Sequence, residues 1–325
     1  MKPGRLLRRT APAAVLALAL AACSPPETQP EDDARPLAEP VRVEHQFGTT
    51  EIDTVPERIV TIDLQWTDVL QSMGVDPVGY TVDPGMPEGG PPWQDLPASA
   101  EALRADDGVP VEQIALLEPD LILGTYSIAD QNTYDRLSEI APTVATLDER
   151  QVTPWEELVE LAGRILQDAE TADEVVDSVH GRVDDAAADL PGLEGGTFAL
   201  AQYIVGDGMI IVADEEDGSS VFFQRLGMTM YGPVRERGQE TGLPRIEVST
   251  ERSDLLRADF VAFLVNGGDE DDLSDIPGFD DLPGTVAVLD YATVAGLNTP
   301  TPLSVEHALD AMRPHLEEAS RSARE

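Results

Sequence analysis

Five of the chain's few aromatic side chains stand where its pattern ends a strand or begins the loop beyond one. Trp66 follows Ile59-Val60-Thr61-Ile62, Tyr80 follows Val78-Gly79, and Trp93 lies in the Gly- and Pro-rich loop after it. Tyr126 follows Leu121-Ile122-Leu123-Gly124, and Gln202-Tyr203 close an apolar run from Thr197. In open α/β sheets, ligands bind outside the carboxyl ends of the strands. Aromatic residues make up only 5% of the sequence, so their gathering at strand ends points to a binding surface. Flat rings offer packing area to a bulky guest, and Arg225 and Arg245, on connecting segments, offer planar cationic donors for its oxygens.

Covalent chemistry fits less well. Lys2 is the only lysine, so a Ser-x-x-Lys acyl enzyme is impossible in the folded part, and no Gly-x-Ser-x-Gly elbow occurs. The carboxylate runs at 214–217 and 270–272 sit among Gly, Ser and Asp and read as solvated loops. A site for a bare metal ion needs converging His and carboxylate ligands. The four histidines, His45, His180, His307 and His315, fall on a hairpin and on helices, none at a strand end. No intrinsic metal or cofactor is expected.

The charge balance narrows the partners. Lys+Arg total 21 against 62 for Asp+Glu, a net charge of -41. Phosphate would be repelled, so nucleic acid is not an expected partner. The start of the chain is basic (Lys2, Arg5, Arg8, Arg9), and residues 11–22 form an apolar run too short to span a bilayer. It ends in Leu20-Ala21-Ala22-Cys23, which resembles a bacterial lipobox, in which the cysteine thiol takes a lipid. Cys23 is the only cysteine, which suits lipidation of an exported chain. The expectation is a signal peptide over residues 1–22, a lipid anchor on Cys23 and a Pro-rich acidic tether over 23–40.

The elements that would carry the strand-end residues follow from periodicity. Residues 41–152 alternate short strands and helices, with apolar strands at 59–62 and 121–123, the signature of a mainly parallel sheet covered on both faces. Residues 153–191 are helical. Thr153-Pro154-Trp155-Glu156 makes a helix start, and a second start follows at Asp168. Residues 192–325 resume the alternation, with a buried strand at 260–265 and a closing helix from Ser304. The expected fold class is therefore α/β, two lobes joined by a helical strut over 153–191.

Several phrases resemble the iron-siderophore substrate-binding proteins of ABC importers. They are Val55-Pro56-Glu57-Arg58-Ile59-Val60 with Asp68-Val69-Leu70-Gln71-Ser72-Met73-Gly74-Val75-Asp76-Pro77-Val78-Gly79, then Val111-Glu112-Gln113-Ile114-Ala115-Leu116-Leu117-Glu118-Pro119-Asp120-Leu121-Ile122, and Tyr134-Asp135-Arg136-Leu137-Ser138-Glu139-Ile140-Ala141-Pro142-Thr143-Val144. Val248-Ser249-Thr250-Glu251 and Leu255-Leu256-Arg257-Ala258-Asp259 are the counterpart in the second half. The resemblance implies two α/β lobes joined by one long helix, with modest closure on the ligand. It implies capture of a ferric siderophore in the cleft, with haem or cobalamin as alternatives, and no catalysis. By its match, Glu112 and Glu251 would dock a permease coupled to its ATPase. The lipoprotein would work as a monomer on the outer face of the cell membrane. An exported hydrolase and a structural lipoprotein without a ligand are the readings from other classes.

Overall fold

The computed structural model describes residues 35–323 except 88, 89, 107, 149 and 151. The expected signal peptide and Cys23 lie outside the described residues.

The first lobe opens with a hairpin, β1 (Pro36–His45) and β2 (Gly48–Thr54). Its turn is Gln46-Phe47, one step before the Gly48-Thr49-Thr50 turn that the sequence suggests, because His45 pairs with Gly48. Strand β1 also reaches back into the stretch expected to be tether. Pro36 pairs with Thr54 across a register shift, and Leu37 is buried, so this part of the Pro-rich segment finds apolar surface to cover.

The lobe continues through β3 (Ile59–Thr61), α1 (Leu64–Ser72), β4 (Gly79–Val82), β5 (Glu101–Arg104), α2 (Val111–Leu116), β6 (Leu121–Leu123), α3 (Gln131–Ser138) and β7 (Thr143–Val144). The sheet runs in the order β5-β4-β3-β6-β7, parallel throughout. Its central strands are apolar on both faces because both are covered. Ile59 and Leu121 point into the main core, while Val60 and Ile122 point into a second core with Ile114 and Leu137 from α2 and α3.

Residues 153–191 are a helical hairpin. Helix α4 (Trp155–Leu166) ends at Gln167, whose φ of 58° is left-handed, and α5 (Ala169–Asp189) starts from the Asp168 cap. The helices then run back along one another. Trp155, at the start of α4, packs edge-on against His180, two-thirds of the way to the end of the pair, and His180 Nε2 lies 3.0 Å from Glu156 Oε1. The long connector is therefore α5 alone, roughly 31 Å at 1.5 Å per residue, with α4 folded onto it from the first lobe.

The second lobe holds β8 (Thr197–Ile204), β9 (Gly208–Val212), α6 (Gly218–Arg225), β10 (Thr229–Met230), α7 (Gly232–Thr241), β11 (Arg245–Val248), β12 (Phe260–Asn266), β13 (Thr285–Val288), α8 (Tyr291–Asn298) and α9 (Pro302–Ser322). Its sheet runs β11-β9-β8-β12-β13, with β10 also on β8. Strands β8, β10, β12 and β13 are parallel, and the β8-β9 hairpin makes β9 antiparallel. Phe198, Phe223, Phe260 and Phe263 fill its centre. Helix α9 begins at a capping box between Thr301 and Ser304, with Pro302 in its first turn, and packs back on α1 and α5.

Close packing of α4 on α5 depends on Gly163, where an added Cβ would lie 2.6 Å from Ala172 Cβ. Gly163→Val is expected to lower folding stability by about 1–3 kcal/mol. Gly181→Ala on α5, where nothing lies within 4 Å, is expected to raise it by about 0.5–1 kcal/mol. Urea unfolding midpoints check both. A Gly163→Val chain as stable as the wild type would show that the helices have room to part.

Candidate functional site

The carboxyl ends of β3, β4, β5 and β6 converge on a cavity of about 380 Å³ whose far wall is α8 and Thr299 of the second lobe. The first lobe supplies Ile62, Asp63, Tyr80, Asp83, Met86, Tyr126 and Ser127, and the second supplies Tyr291, Ala295 and Asn298. The volume lies in the range of small-molecule sites. Tyr126 is 43% exposed and Tyr291 42%, large rings left open where the lobes face each other. The Tyr291 hydroxyl donates to Asp83 Oδ2 at 3.1 Å, a direct bond across the mouth. Walls around the phenols push Tyr126 and Tyr291 upward, and the charges of Asp63 and Asp83 respectively add to the effect. Both hydroxyls therefore remain protonated; that of Tyr291 is committed to Asp83, and that of Tyr126 can donate as a neutral group.

The floor is held by two buried carboxyls five residues apart, Asp63 at the cap of α1 and Asp68 within it. Asp63 caps α1 by accepting the Trp66 backbone N–H at 3.0 Å, and it also accepts the backbone N–H and hydroxyl of Thr125. That second set of bonds fixes the Thr125-Tyr126-Ser127 loop and so aims the Tyr126 ring. Burial raises the Asp63 pKa, opposed by these hydrogen bonds. Asp68 accepts from the Trp93 indole N–H at 2.8 Å, the Gln94 amide at 2.5 Å and the Thr301 hydroxyl at 2.6 Å. It ties α1, the loop over the cavity and the start of α9 to one another. Burial pushes Asp68 up to about 6, against its three donors, with the charge of Asp63 adding to the rise.

Of the residues expected to bind a ligand, Tyr80 and Tyr126 line this cavity. Trp66 does not. It is 0% exposed in the core, because α1 is covered on every side and its ring faces inward. Tyr203 is likewise core at 2% exposure, since its place on β8 points into the packed sheet face. Trp93 is drawn away by Asp68 and packs on the His307 ring at 4.9 Å, so it wedges the loop against α9. Gln202 and Arg245 line a gap of about 40 Å³ beneath α8, room for a water and not for a bulky guest. Arg225 lies away from the cleft, near α4 and α5, bonded to Asp184 at 2.8 Å. Glu112, paired with Arg136 at 2.7 Å, and Glu251 are both exposed.

Sequence reasoning missed Asp83, Tyr291, Asn298 and the whole of α8. The signal was present in Asp290, whose side chain accepts the Thr293 N–H as an N-cap, and in the stop at Asn298-Thr299-Pro300. No group of three or more potential metal ligands occurs among the described residues.

Two α/β lobes around an aromatic-lined cavity have the form of a bilobal solute-binding protein. The sequence profile of the periplasmic binding protein family matches residues 59–238, and the chain belongs to that family. A probable siderophore-binding lipoprotein of Bacillus subtilis, YfiY, is 27% identical over 215 residues, which is 65% of this chain and 63% of that one. Among solved structures, PiaA of Streptococcus pneumoniae in complex with ferrichrome is 25% identical, with a TM-score of 0.72 over 87% of this chain and 99% of that one. A periplasmic solute-binding protein of Mycobacterium smegmatis is 26% identical, with a TM-score of 0.71 over 86% of this chain and 99% of that one.

The burial of Trp66 reverses what its position in sequence suggests for mutation. Trp66→Ala is expected to cost about 3–5 kcal/mol of stability, read from denaturant unfolding. A variant that kept its stability and lost only ligand affinity would restore a binding role.

For Asp68, the folded-state pKa of about 6 stands above the ordinary value of 3.8. The stability from this proton is full below about pH 4 and is lost as pH rises through about 6. Relative to Asp68→Asn, the wild type should lose on the order of 2–3 kcal/mol between about pH 4 and pH 7. Urea midpoints across that range measure it. A flat difference, or one of opposite slope, would mean that the three donors outweigh burial.

Proposed function

We propose that this chain is an extracytoplasmic solute-binding lipoprotein that captures a ferric siderophore between its lobes and delivers it to an ABC importer. The observation that carries the reading is the 380 Å³ cavity at the strand ends, lined by Tyr80, Tyr126 and Tyr291 with contributions from both lobes. Its rings offer packing area to a bulky chelate, and the hydroxyls of Tyr80 and Tyr126 offer donors to the chelate's oxygens. The iron, already enclosed by its chelator, is cargo and needs no ligand from the protein. The names of the relatives point the same way, as YfiY is described as siderophore-binding and PiaA was solved with ferrichrome.

Delivery requires a partner, and the placement of Glu112 and Glu251 supports their docking role. Glu112 lies in the first turn of α2, just past the carboxyl end of β5. Glu251 follows β11, which runs parallel to β8 because each is antiparallel to β9. Both acids therefore stand at the carboxyl-end rim of their own sheet, exposed and suited to cations on a permease. A lipid on Cys23 would keep the protein near that permease and raise its local concentration.

Titration of the full chain with ferric chelates, followed by tryptophan fluorescence and by dialysis with an iron readout, tests the capture. Tyr126→Ala should weaken the best ligand by about tenfold or more with stability within about 0.5 kcal/mol of wild type; unchanged affinity would remove Tyr126 from the site. Glu112→Arg together with Glu251→Arg should leave binding intact and reduce uptake of the iron chelate by cells. Normal uptake would end the docking assignment. Recovery of a cleaved chelator after release would overturn binding without turnover.

A further inference from the structure

The cleft that faces the ligand has no cation of its own. Among the described residues lining it there is no lysine, arginine or histidine, while two carboxyl groups, Asp63 and Asp83, stand in its wall. Lysine cannot be brought in, because none follows Lys2. Two nearby arginines are already committed. Arg104, next to the lining residue Ala105, forks onto Asp106 with bonds of 2.7 and 3.1 Å. Arg245, beneath α8, donates to Asp217 at 3.0 Å and to Asn298 at 3.0 Å. The remaining polar equipment is uncharged: the phenols Tyr80, Tyr126 and Tyr291, with neutral side chains such as Gln94, Asn298 and Thr299.

We infer that the cleft selects ferric chelates of zero or positive net charge, of the tris-hydroxamate type, and rejects the trianionic tris-catecholate type. This rests on the reading of the cleft as a ferric-siderophore site. Three hydroxamates each carry one negative charge and balance iron(III), so the chelate is neutral, and a free ammonium on its backbone makes it cationic. Three catecholates each carry two, which leaves the complex with three negative charges. An anion moved from water into this cleft would lose hydration and meet carboxylates with no counter-charge to replace the lost solvent. It would also approach a molecule whose net charge is -41. A neutral chelate meets none of this repulsion, and its oxygens suit phenol O–H donors, which stabilise oxygen acceptors without bringing a charge. The Tyr291-Asp83 bond across the mouth places a carboxylate where a cationic tail would leave the cleft.

The test compares four probes on the full chain by equilibrium dialysis: ferrioxamine B (cationic), ferrichrome (neutral), ferric enterobactin (trianionic) and haem, whose propionates are anionic. Ferrioxamine B and ferrichrome should bind at least about tenfold more tightly than ferric enterobactin and haem. Asp83→Arg should shrink the ratio of ferrioxamine B to ferric enterobactin affinity by at least about tenfold. Circular dichroism and the urea midpoint confirm that this variant folds, and Asp83→Asn, which should shift the ratio in the same direction by less, serves if it does not. Ferric enterobactin or haem binding as tightly as the trihydroxamates would overturn the charge selection and leave the siderophore-site or bilobal-binder reading in place. A ratio indifferent to charge at position 83 would overturn its electrostatic origin. Failure of all four probes to bind would remove the siderophore reading itself.

Discussion

A carboxyl group taken out of water must be given donors, and Asp68 obtains them from three separate parts of the chain. The Trp93 indole, the Gln94 amide and the Thr301 hydroxyl all converge on it. Gln65, one turn earlier, donates its amide to the carbonyls of Thr153 and Pro300 at 2.9 and 3.1 Å. Helix α1 thus carries polar groups into the interior that are satisfied only if the first lobe, the start of the helical hairpin and the entry to α9 all meet around it. Leaving any one of these groups unpaired would cost about 1–3 kcal/mol. Apolar packing tolerates small slides between surfaces, whereas a satisfied buried network specifies one arrangement. The width of the cleft follows from that arrangement, since α8 leads into Thr299, Pro300 and Thr301.

The helical hairpin has a second effect on how the lobes relate. Helix α5 alone would be a single rod between two bodies, free to bend or rotate at its ends. With α4 folded onto it through Gly163 and Ala172, and α9 packed along it, the connector becomes a bundle whose buried face includes Leu158, Val179 and Val183. Arg182 on α5 reaches Glu306 and Asp310 on α9, and Arg313 on α9 reaches Asp189 on α5, ion pairs spread along the helices. Each exposed pair contributes little by itself, but the shared apolar face opposes large hinge rotation. Adaptation to a ligand is left to exposed side chains of the cavity wall, Tyr126 and Tyr291.

The lobes were legible in the sequence because their strands are fully buried. Ile59-Val60-Thr61 and Leu121-Ile122-Leu123 read as strands because both sheet faces are covered, and the stop at Gln167-Asp168 was visible as a second helix start. The site was less legible because position at a strand end does not fix the direction of a side chain. Trp66 and Tyr126 both follow apolar strands, yet Trp66 lies in the third position of a capped helix and turns inward, while Tyr126 lies in a loop held by Asp63 and turns outward. Helix α8 escaped notice because it has no polar face. Ala292, Thr293, Gly296 and Leu297 are all buried, so its sequence lacks the amphipathic period by which helices are recognised.

The arginines show how context decides function in a chain this acidic. In a sequence with 62 acidic and 21 basic residues, each guanidinium folds among carboxylates that outnumber it. Arg225 goes to Asp184, Arg245 to Asp217, and Arg150 to both Asp148 and Glu157. A cation held by an internal partner offers a guest little net field, and detaching it would expose the partner's charge in its place. The same acidity that spreads charge over the surface thus consumes the positive groups that an anionic ligand would need. What the fold leaves at the cleft is uncharged: the phenols of Tyr80 and Tyr126, and a Tyr291 hydroxyl already given to Asp83.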